Sequence, residues 1–139
     1  MKIVIDTSVW ISALITKDSK AREVLRLVLQ KKLFPQISEA LYIEYESVMK
    51  RKKIQALTSL TIDEQKELFN AFLSTCKYND IYYTWRPNLI DEGDNFLVEL
   101  AVASGAEIIL TYNIKDFKSS ELIFSHNIMT PEDFIKELS

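Results

Sequence analysis

The first ten residues of the chain constrain its fold more than any other stretch. Residues 3–5 form a short β-branched run, which is typical of a strand buried on both faces of a parallel sheet. Asp6 ends this run, and Thr7 and Ser8 can cap a following helix. A carboxylate is therefore expected at the carboxyl end of a strand, the edge where open parallel sheets bind ligands. Taken alone, Asp6 is equally well explained as a capping residue.

Strand and helix patterns alternate along the rest of the chain. Strand patterns are expected at residues 33–37, 80–85 and 107–111, and a fifth at either 122–124 or 127–129. Apolar residues at helical spacing fill the segments between these strands. This alternation predicts right-handed βαβ crossovers and a parallel sheet covered on both faces, which is a three-layer α/β/α fold.

Polar residues mark the starts of the expected helices. Thr61 and Glu64 have the spacing of a capping box, and Pro131 suits a first helical turn. The expected helices begin near Val9, Ser19, Ser38, Thr61, Asp94 and Thr130. The second should run to about residue 31, and Gly105 should end the helix that Asp94 opens.

Length and composition limit the classes of protein that remain. The 139 residues fit a single domain spanning residues 1–139, and no apolar run is long enough to cross a membrane. The lone Cys76 excludes an internal disulfide and is expected inside a helix as a small core residue, so a reducing, cytoplasmic setting is expected. The net charge of −3 argues against a passive nucleic-acid binder, but not against an enzyme whose acids hold cations.

Glu44 is the most informative acid in the chain. It lies three residues after Leu41 and four before Val48, so its carboxylate falls within an apolar stripe of a helix. A buried charge is costly unless it is paired or bound to a cation. The alternative is a wide stripe with Glu44 at its wet margin beside Tyr45.

Two further acids complete a candidate constellation. Asp94 opens a helix and Asp116 follows the strand pattern at 107–111, although each is also explained as a helix cap or a turn residue. If that strand lies beside the first, Asp6 and Asp116 border one crevice. Carboxylates that converge there need a compensating charge, and all-oxygen ligands favour Mg²⁺ or Mn²⁺, the metals of phosphoryl chemistry.

Three segments, 4–14, 37–51 and 94–117, resemble the signature blocks of PIN-domain ribonucleases in the right order and over nearly the whole chain. The resemblance implies a five-stranded parallel sheet of order 3-2-1-4-5. It also implies a Mg²⁺- or Mn²⁺-dependent endoribonuclease. In many bacterial relatives this activity is the toxin half of a toxin–antitoxin pair, which implies an RNA substrate, an antitoxin partner and, in many cases, a homodimer.

By position, the resemblance assigns Asp6, Glu44, Asp94 and Asp116 as the catalytic acids and metal ligands. Ser8 matches a residue that supports the first acid, and Thr111 matches a hydroxyl that lines the site. Asn113 is the third supporting position. Many relatives have a further Asp at position 113. The asparagine therefore leaves open whether one metal or two are bound.

A cationic run closes the helix that carries Glu44. Lys50, Arg51, Lys52 and Lys53 can bind RNA phosphates, although such a run is more often a solvated helix end. Residues 82–85 contain aromatic side chains that suit base stacking, for which a core or subunit contact is the more common role. The single histidine, His126, excludes paired-histidine acid–base chemistry in a monomer.

Two other functions fit the same pattern. One is phosphotransfer through an acyl-phosphate on Asp6, but haloacid-dehalogenase-like phosphatases have a second Asp where this chain has Ser8, and the acidic pair of receiver domains has no match. The other is a non-catalytic binding module for RNA or protein. The presence of all four acids argues against such a module, although Asn113 leaves it open.

Overall fold

The centre of the fold is a sheet of five short parallel strands. The computed structural model describes residues 1–81, 95–115, 117 and 127–138. Within these residues the strands are β1 (Lys2–Ile5), β2 (Phe34–Ile37), β3 (Lys77–Tyr78), β4 (Ile108–Leu110) and β5 (Asn127–Met129). They lie in the order β3-β2-β1-β4-β5, which confirms the expected topology. The buried β-branched run of β1 occupies the middle, paired in parallel with β2 and β4.

Helices flank this sheet and complete the layers. The described helices are α1 (Thr7–Ile15), α2 (Lys20–Leu29), α3 (Glu39–Met49), α4 (Lys52–Leu57), α5 (Ile62–Thr75), α6 (Asn95–Ser104) and α7 (Pro131–Leu138). Helix α1 packs on α2 and α3, and α2 also contacts α5 and α7. Helix α6 lies against β1, β2 and β4. The expected three-layer α/β/α architecture is confirmed.

Local capping fixes most helix boundaries where the sequence places them. Ser19 and Ser38 each accept a hydrogen bond from the backbone N–H three residues later, as expected of N-caps. Thr61 and Glu64 form the complete capping box at the start of α5. Gly105 follows α6 with a φ of 72°, a left-handed conformation that glycine adopts without a Cβ penalty.

The core on one side of the sheet is an aromatic cluster. Trp10 of α1, with 1% of its surface exposed, stacks on Phe72 with ring centroids 4.9 Å apart. Phe69 and Tyr45 lie against the same indole with centroids at 5.5 and 6.0 Å. Offset and tilted aromatic pairs add to the free energy of burial, so this cluster joins α1, α3 and α5 into one body.

The third strand was expected at residues 80–85, and this expectation is wrong. Strand β3 is Lys77–Tyr78 and begins just after α5 ends. In its register with β2, Lys77 lies beside Gln36. The N–H of Asn79 then donates to the carbonyl of Ile37 at 2.9 Å, beyond the last strand pair. The β-prone run that favoured the later position continues into residues outside those described.

Other boundaries also differ from expectation. Helix α1 begins at residue 7 rather than 9, and α2 ends at Leu29, which is 37% exposed rather than buried with its neighbours. Lys31 follows α2 with a φ of 61°, a conformation that cannot continue the helix. Helix α4 was not expected, and Cys76 caps α5 rather than lying inside a helix. The fifth strand is at 127–129; the alternative at 122–124 lies outside the described residues.

Candidate active site at the carboxyl end of the sheet

Asp6 occupies the junction between the central strand and the first helix. Its backbone N–H donates to the carbonyl of Leu110 at 2.9 Å, so β4 holds it directly. Asp6 is the N-cap residue of α1, yet its side chain makes no capping hydrogen bond. The residue is only 5% exposed. Capping therefore does not explain why a carboxylate is buried at this position.

Three hydroxyl groups hold the Asp6 carboxylate instead. The hydroxyls of Thr111 and Ser8 donate to Oδ2 at 2.6 and 3.0 Å. The Thr7 hydroxyl makes a longer contact of 3.4 Å to Oδ1. The expectation that Thr7 and Ser8 cap α1 is wrong, because both are helical residues whose hydroxyls turn back to the acid. Oδ1 therefore keeps most of its acceptor capacity.

A second set of hydrogen bonds fixes the hydroxyls themselves. The N–H of Tyr112 donates to Ser8 Oγ at 3.0 Å, and the N–H of Asn113 donates to Thr111 Oγ1 at 2.9 Å. Thr111 is fully buried, whereas Asn113 is exposed. The segment after β4 thus orients both donors on Asp6. All of these donors are neutral, so none of them offsets a negative charge on the carboxylate.

Tyr45 anchors helix α3 to the same strand end. Its buried hydroxyl donates to the carbonyl of Ile5, the residue before Asp6. Burial, the nearby Cys76 thiol and the Asp6 charge together raise the pKa of Tyr45 well above its usual value. The position of Tyr45 in the apolar stripe of α3 indicates in the sequence that it is buried, but no sequence pattern indicates its bond to the Ile5 carbonyl.

Glu44, the residue before Tyr45, lies at the margin of this buried face. Its side chain is 39% exposed, and Oε1 lies 3.9 Å from Nη2 of Arg51. The expectation of a carboxylate within the apolar stripe is therefore wrong, and the alternative of a wet margin is correct. Because Leu41 and Val48 take the buried positions, a 100° step per residue leaves Glu44 at the edge of their face.

The cationic run after α3 does not act as one patch. Arg51 contacts Glu44, whereas Lys50 lines a separate groove between α3 and α5. Lys52 and Lys53 begin α4, and all four side chains are exposed. Arg51 is thus the member of the run that contacts a candidate site acid.

Two of the four candidate acids, Asp94 and Asp116, lie outside the described residues, as do His126 and the aromatic residues 82–85. The described residues on their own contain no group of three or more acids, histidines or cysteines able to hold a metal ion. What the structure brings together is Asp6, Ser8 and Thr111, with α3 fixed to the same strand end.

Tyr112 and Glu99 are two further residues that carry no obvious sequence signal. Tyr112 follows Thr111, and its pKa is raised to about 12, mainly by burial and also by hydrogen bonding to Glu132. Glu99 on α6 is a carboxylate only 5% exposed. Glu99 directly precedes two fully buried residues, Leu100 and Ala101. The spacing of apolar residues in the sequence does not show on which face of α6 its side chain lies.

Residues 2–115 match the family model described as a PIN domain. The chain belongs to the PIN-domain family. Proteins of this family are typically nucleases that use divalent metal ions, which supports a hydrolase at the level of reaction class.

Within the described residues, no helix combines the length and apolar character needed to span a bilayer.

Solved structures also share this fold. One is a chain from the crystal structure of VapBC2 from Rickettsia felis bound to a DNA fragment from their promoter. It matches with a TM-score of 0.58 and 20% sequence identity, over 93% of this chain and 97% of that chain. No curated protein matches the chain significantly. At this level of identity the structural match supports the PIN fold rather than a particular activity.

Proposed function

We propose that this PIN domain is a Mg²⁺- or Mn²⁺-dependent endoribonuclease and the toxin half of a toxin–antitoxin pair. The observation that supports it best is the Asp6 carboxylate. It is buried, oriented by neutral hydroxyls, and has no cationic partner among the described residues. An ionised carboxylate in such a position is costly without a compensating cation, which a bound metal ion supplies.

The donor set at Asp6 fits a hard divalent cation. Carboxylate and hydroxyl oxygens are the ligands that Mg²⁺ and Mn²⁺ prefer. We assign Asp6, Glu44, Asp94 and Asp116 as the acids that hold the metal. A divalent ion held there would supply an activated water and would offset the negative charge of a phosphodiester.

The residues around Asp6 act by positioning. The hydroxyls of Ser8 and Thr111 fix Oδ2, which leaves Oδ1 with most of its acceptor capacity for the proposed metal ion. Asn113, through its backbone N–H, keeps Thr111 in the donating rotamer. A carboxylate held in one orientation loses no further conformational entropy when substrate binds, and this preorganisation lowers the barrier to phosphodiester hydrolysis.

RNA phosphates are proposed to bind at the cationic edge of the site. Arg51 lies beside Glu44, and Lys52 and Lys53 follow it on the first turn of α4. A guanidinium suits bidentate recognition of a phosphate. Since Arg51 is more than half exposed, it can leave Glu44 for a substrate phosphate at little cost.

The partner is proposed from the same family membership. The similar structure is of VapBC2 bound to a DNA fragment from their promoter, and we propose an antitoxin partner here by analogy with it. A homodimer and a cytoplasmic location are part of this proposal.

Cleavage of a structured RNA by the purified full-length chain, with Mg²⁺ or Mn²⁺ and with EDTA, tests the proposal. We expect metal-dependent internal cleavage that EDTA stops. Asp6→Asn should lower cleavage by a factor of about 10² or more, since it removes the proposed metal-binding charge, while circular dichroism and the melting temperature show a folded protein. Undiminished cleavage by this variant would refute the role of Asp6. Hydrolysis of small phosphate esters without RNA cleavage would favour an acyl-phosphate mechanism.

The toxin assignment needs a separate test in cells. Expression of the wild-type chain should arrest growth, and co-expression of a cognate antitoxin should relieve the arrest. Asp6→Asn serves as the matched control and should permit growth. Normal growth of cells that contain demonstrably active wild-type enzyme would remove the toxin assignment while leaving the nuclease assignment in place.

A further inference from the structure

A groove with a volume of about 480 Å³ lies between α3, α4 and α5, on a different flank of α3 from Glu44. We call it the α3–α5 groove. Its apolar lining comes mainly from Met49 of α3 and from Ile62, Phe69 and Leu73 of α5. The volume falls within the roughly 300–1,000 Å³ typical of ligand-binding clefts. Neither Asp6 nor any supporting residue of the candidate active site lines it.

Ile62 is the feature of this groove that folding does not explain. It is the first residue of α5 and is 63% exposed, although a polar residue is common in a first helical turn. At the groove floor, Phe69 is 7% exposed and belongs to the aromatic core. The groove therefore has an exposed apolar side chain, Ile62, at its rim and a buried core residue, Phe69, at its base. This combination is typical of interaction sites.

Hydrogen bonds hold the groove open. The side chains of Gln55 on α4 and Gln65 on α5 bond reciprocally, with N···O distances of 2.7 and 3.0 Å. Gln55 Nε2 also donates to the carbonyl of Met49 at 2.6 Å, and Gln65 Nε2 donates to that of Leu60 at 3.1 Å. These bonds tie α4 to both walls. A preformed groove reduces the ordering cost of binding.

The charged side chains of the groove select the occupant. Glu46 accepts a hydrogen bond from the Tyr42 hydroxyl at 3.1 Å, so it already has a partner. Lys50 and Lys66, on opposite walls, are exposed and form no ion pair within the part of the chain that the structure describes. The chain as a whole carries a net charge of −3, so the positive charge of this pair of lysines is opposite in sign to that of the whole chain. Carboxylates are the complementary groups.

We propose that the α3–α5 groove docks an acidic amphipathic helix of a partner protein. Its apolar face would cover Met49, Ile62 and Phe69, and its carboxylates would meet Lys50 and Lys66. A helix laid into a groove between helices is a recurrent mode of peptide recognition. RNA suits the two lysines but not the apolar floor, and a second copy of this chain brings like net charge. The proposal requires neither metal nor RNA cleavage, so it stands or fails separately from the nuclease assignment.

Selection of peptides on the full-length protein tests the proposal without a known partner. A phage-displayed library of random 16-residue peptides is panned on the wild-type chain, and the enriched peptides are synthesised and measured by fluorescence anisotropy. We expect net-negative sequences with apolar residues at intervals of three and four. Ile62→Ser, and separately the double reversal Lys50→Glu with Lys66→Glu, should each weaken their binding at least about tenfold.

The matched control is a double reversal of Lys17 and Lys32 to Glu, which gives the same net charge outside the groove. It should change peptide affinity by less than about twofold, because exposed charges at a distance are screened. No enrichment, enrichment of neutral or basic peptides, or equal binding to both double reversals would overturn the proposal. So would displacement of the peptide by a 2′-O-methyl RNA, or a wild-type dimer in sedimentation that Ile62→Ser dissociates. RNA cleavage by Ile62→Ser is measured in parallel and should match wild type.

Discussion

Replacement of Thr111 by valine tests whether the hydroxyls around Asp6 hold a charged carboxylate. Valine keeps the shape of threonine but can neither donate to Asp6 Oδ2, now at 2.6 Å, nor accept from the N–H of Asn113, now at 2.9 Å. A hydrogen bond to a charged group contributes about 1.5–3 kcal/mol, and a neutral one about 0.5–1.5 kcal/mol. Because Thr111 is fully buried, water cannot replace either bond. We therefore expect the free energy of unfolding to fall by about 2–4 kcal/mol.

Urea unfolding followed by circular dichroism, in metal-free buffer near pH 7, measures this change. The midpoint should fall while the m-value stays constant, since the surface exposed on unfolding is the same. Thr111→Ser is the matched control: it keeps both hydrogen bonds, loses one methyl group and should cost about 1 kcal/mol. A double-mutant cycle with Asp6→Asn should give a coupling energy of at least about 1 kcal/mol. A Thr111→Val loss below about 0.5 kcal/mol would refute the reasoning.

Three further predictions concern the surroundings of the site. Tyr45→Phe should lower the free energy of unfolding by about 1–2 kcal/mol in the same urea assay, since it leaves the Ile5 carbonyl without its donor, whereas Tyr42→Phe at the half-buried Glu46 contact should cost less than about 0.5 kcal/mol. Arg51→Ala should raise KM for RNA about three- to tenfold with little change in kcat, and lower the slope of log affinity against log salt by about 1; Lys32→Ala at the opposite edge of the sheet should do neither. Burial raises the pKa of Cys76 to about 12, so iodoacetamide at pH 8 should alkylate it at least about a hundredfold more slowly than free cysteine, and the free energy of unfolding should decrease between pH 9 and 12, where only the unfolded chain ionises. Equal midpoints for the two Tyr→Phe variants, equal KM for Arg51→Ala and wild type, or rapid alkylation of the folded protein would each contradict the corresponding prediction.

The sequence was sufficient to predict a parallel sheet in an α/β/α fold because its signals are local and repeated, whereas the strand order 3-2-1-4-5 followed from the family resemblance. The β-branched run before Asp6, the serine caps and the capping box of α5 each specify one boundary, and alternation of the elements then leaves few ways to arrange a parallel sheet. The position of β3 was not predictable in this way. It depends on which residue after α5 meets Gln36, a tertiary register that a two-residue strand does not encode in its own composition.

The candidate site, like the fold, is predictable from the sequence only in part. The position of Asp6 after a buried strand is visible in sequence, because a charge that ends such a run must lie at the sheet edge. Its hydrogen bond to Thr111 is not visible, since the two residues are 105 positions apart. The placement of Glu44 depends on the exact angle at which α3 meets the sheet, which Tyr45 helps to fix through its hydroxyl and its aromatic contacts. Sequence periodicity does not resolve that angle.

Two of the acids proposed to hold a divalent ion have different surroundings. Neutral hydroxyls hold Asp6, whereas a guanidinium lies beside Glu44. Under the proposed function, a divalent ion at Asp6 would displace no charged side chain among the described residues. An ion at Glu44 would compete with Arg51. Under the proposed function, a phosphate that binds Arg51 would free Glu44, so substrate binding and the use of Glu44 as a metal ligand would favour each other.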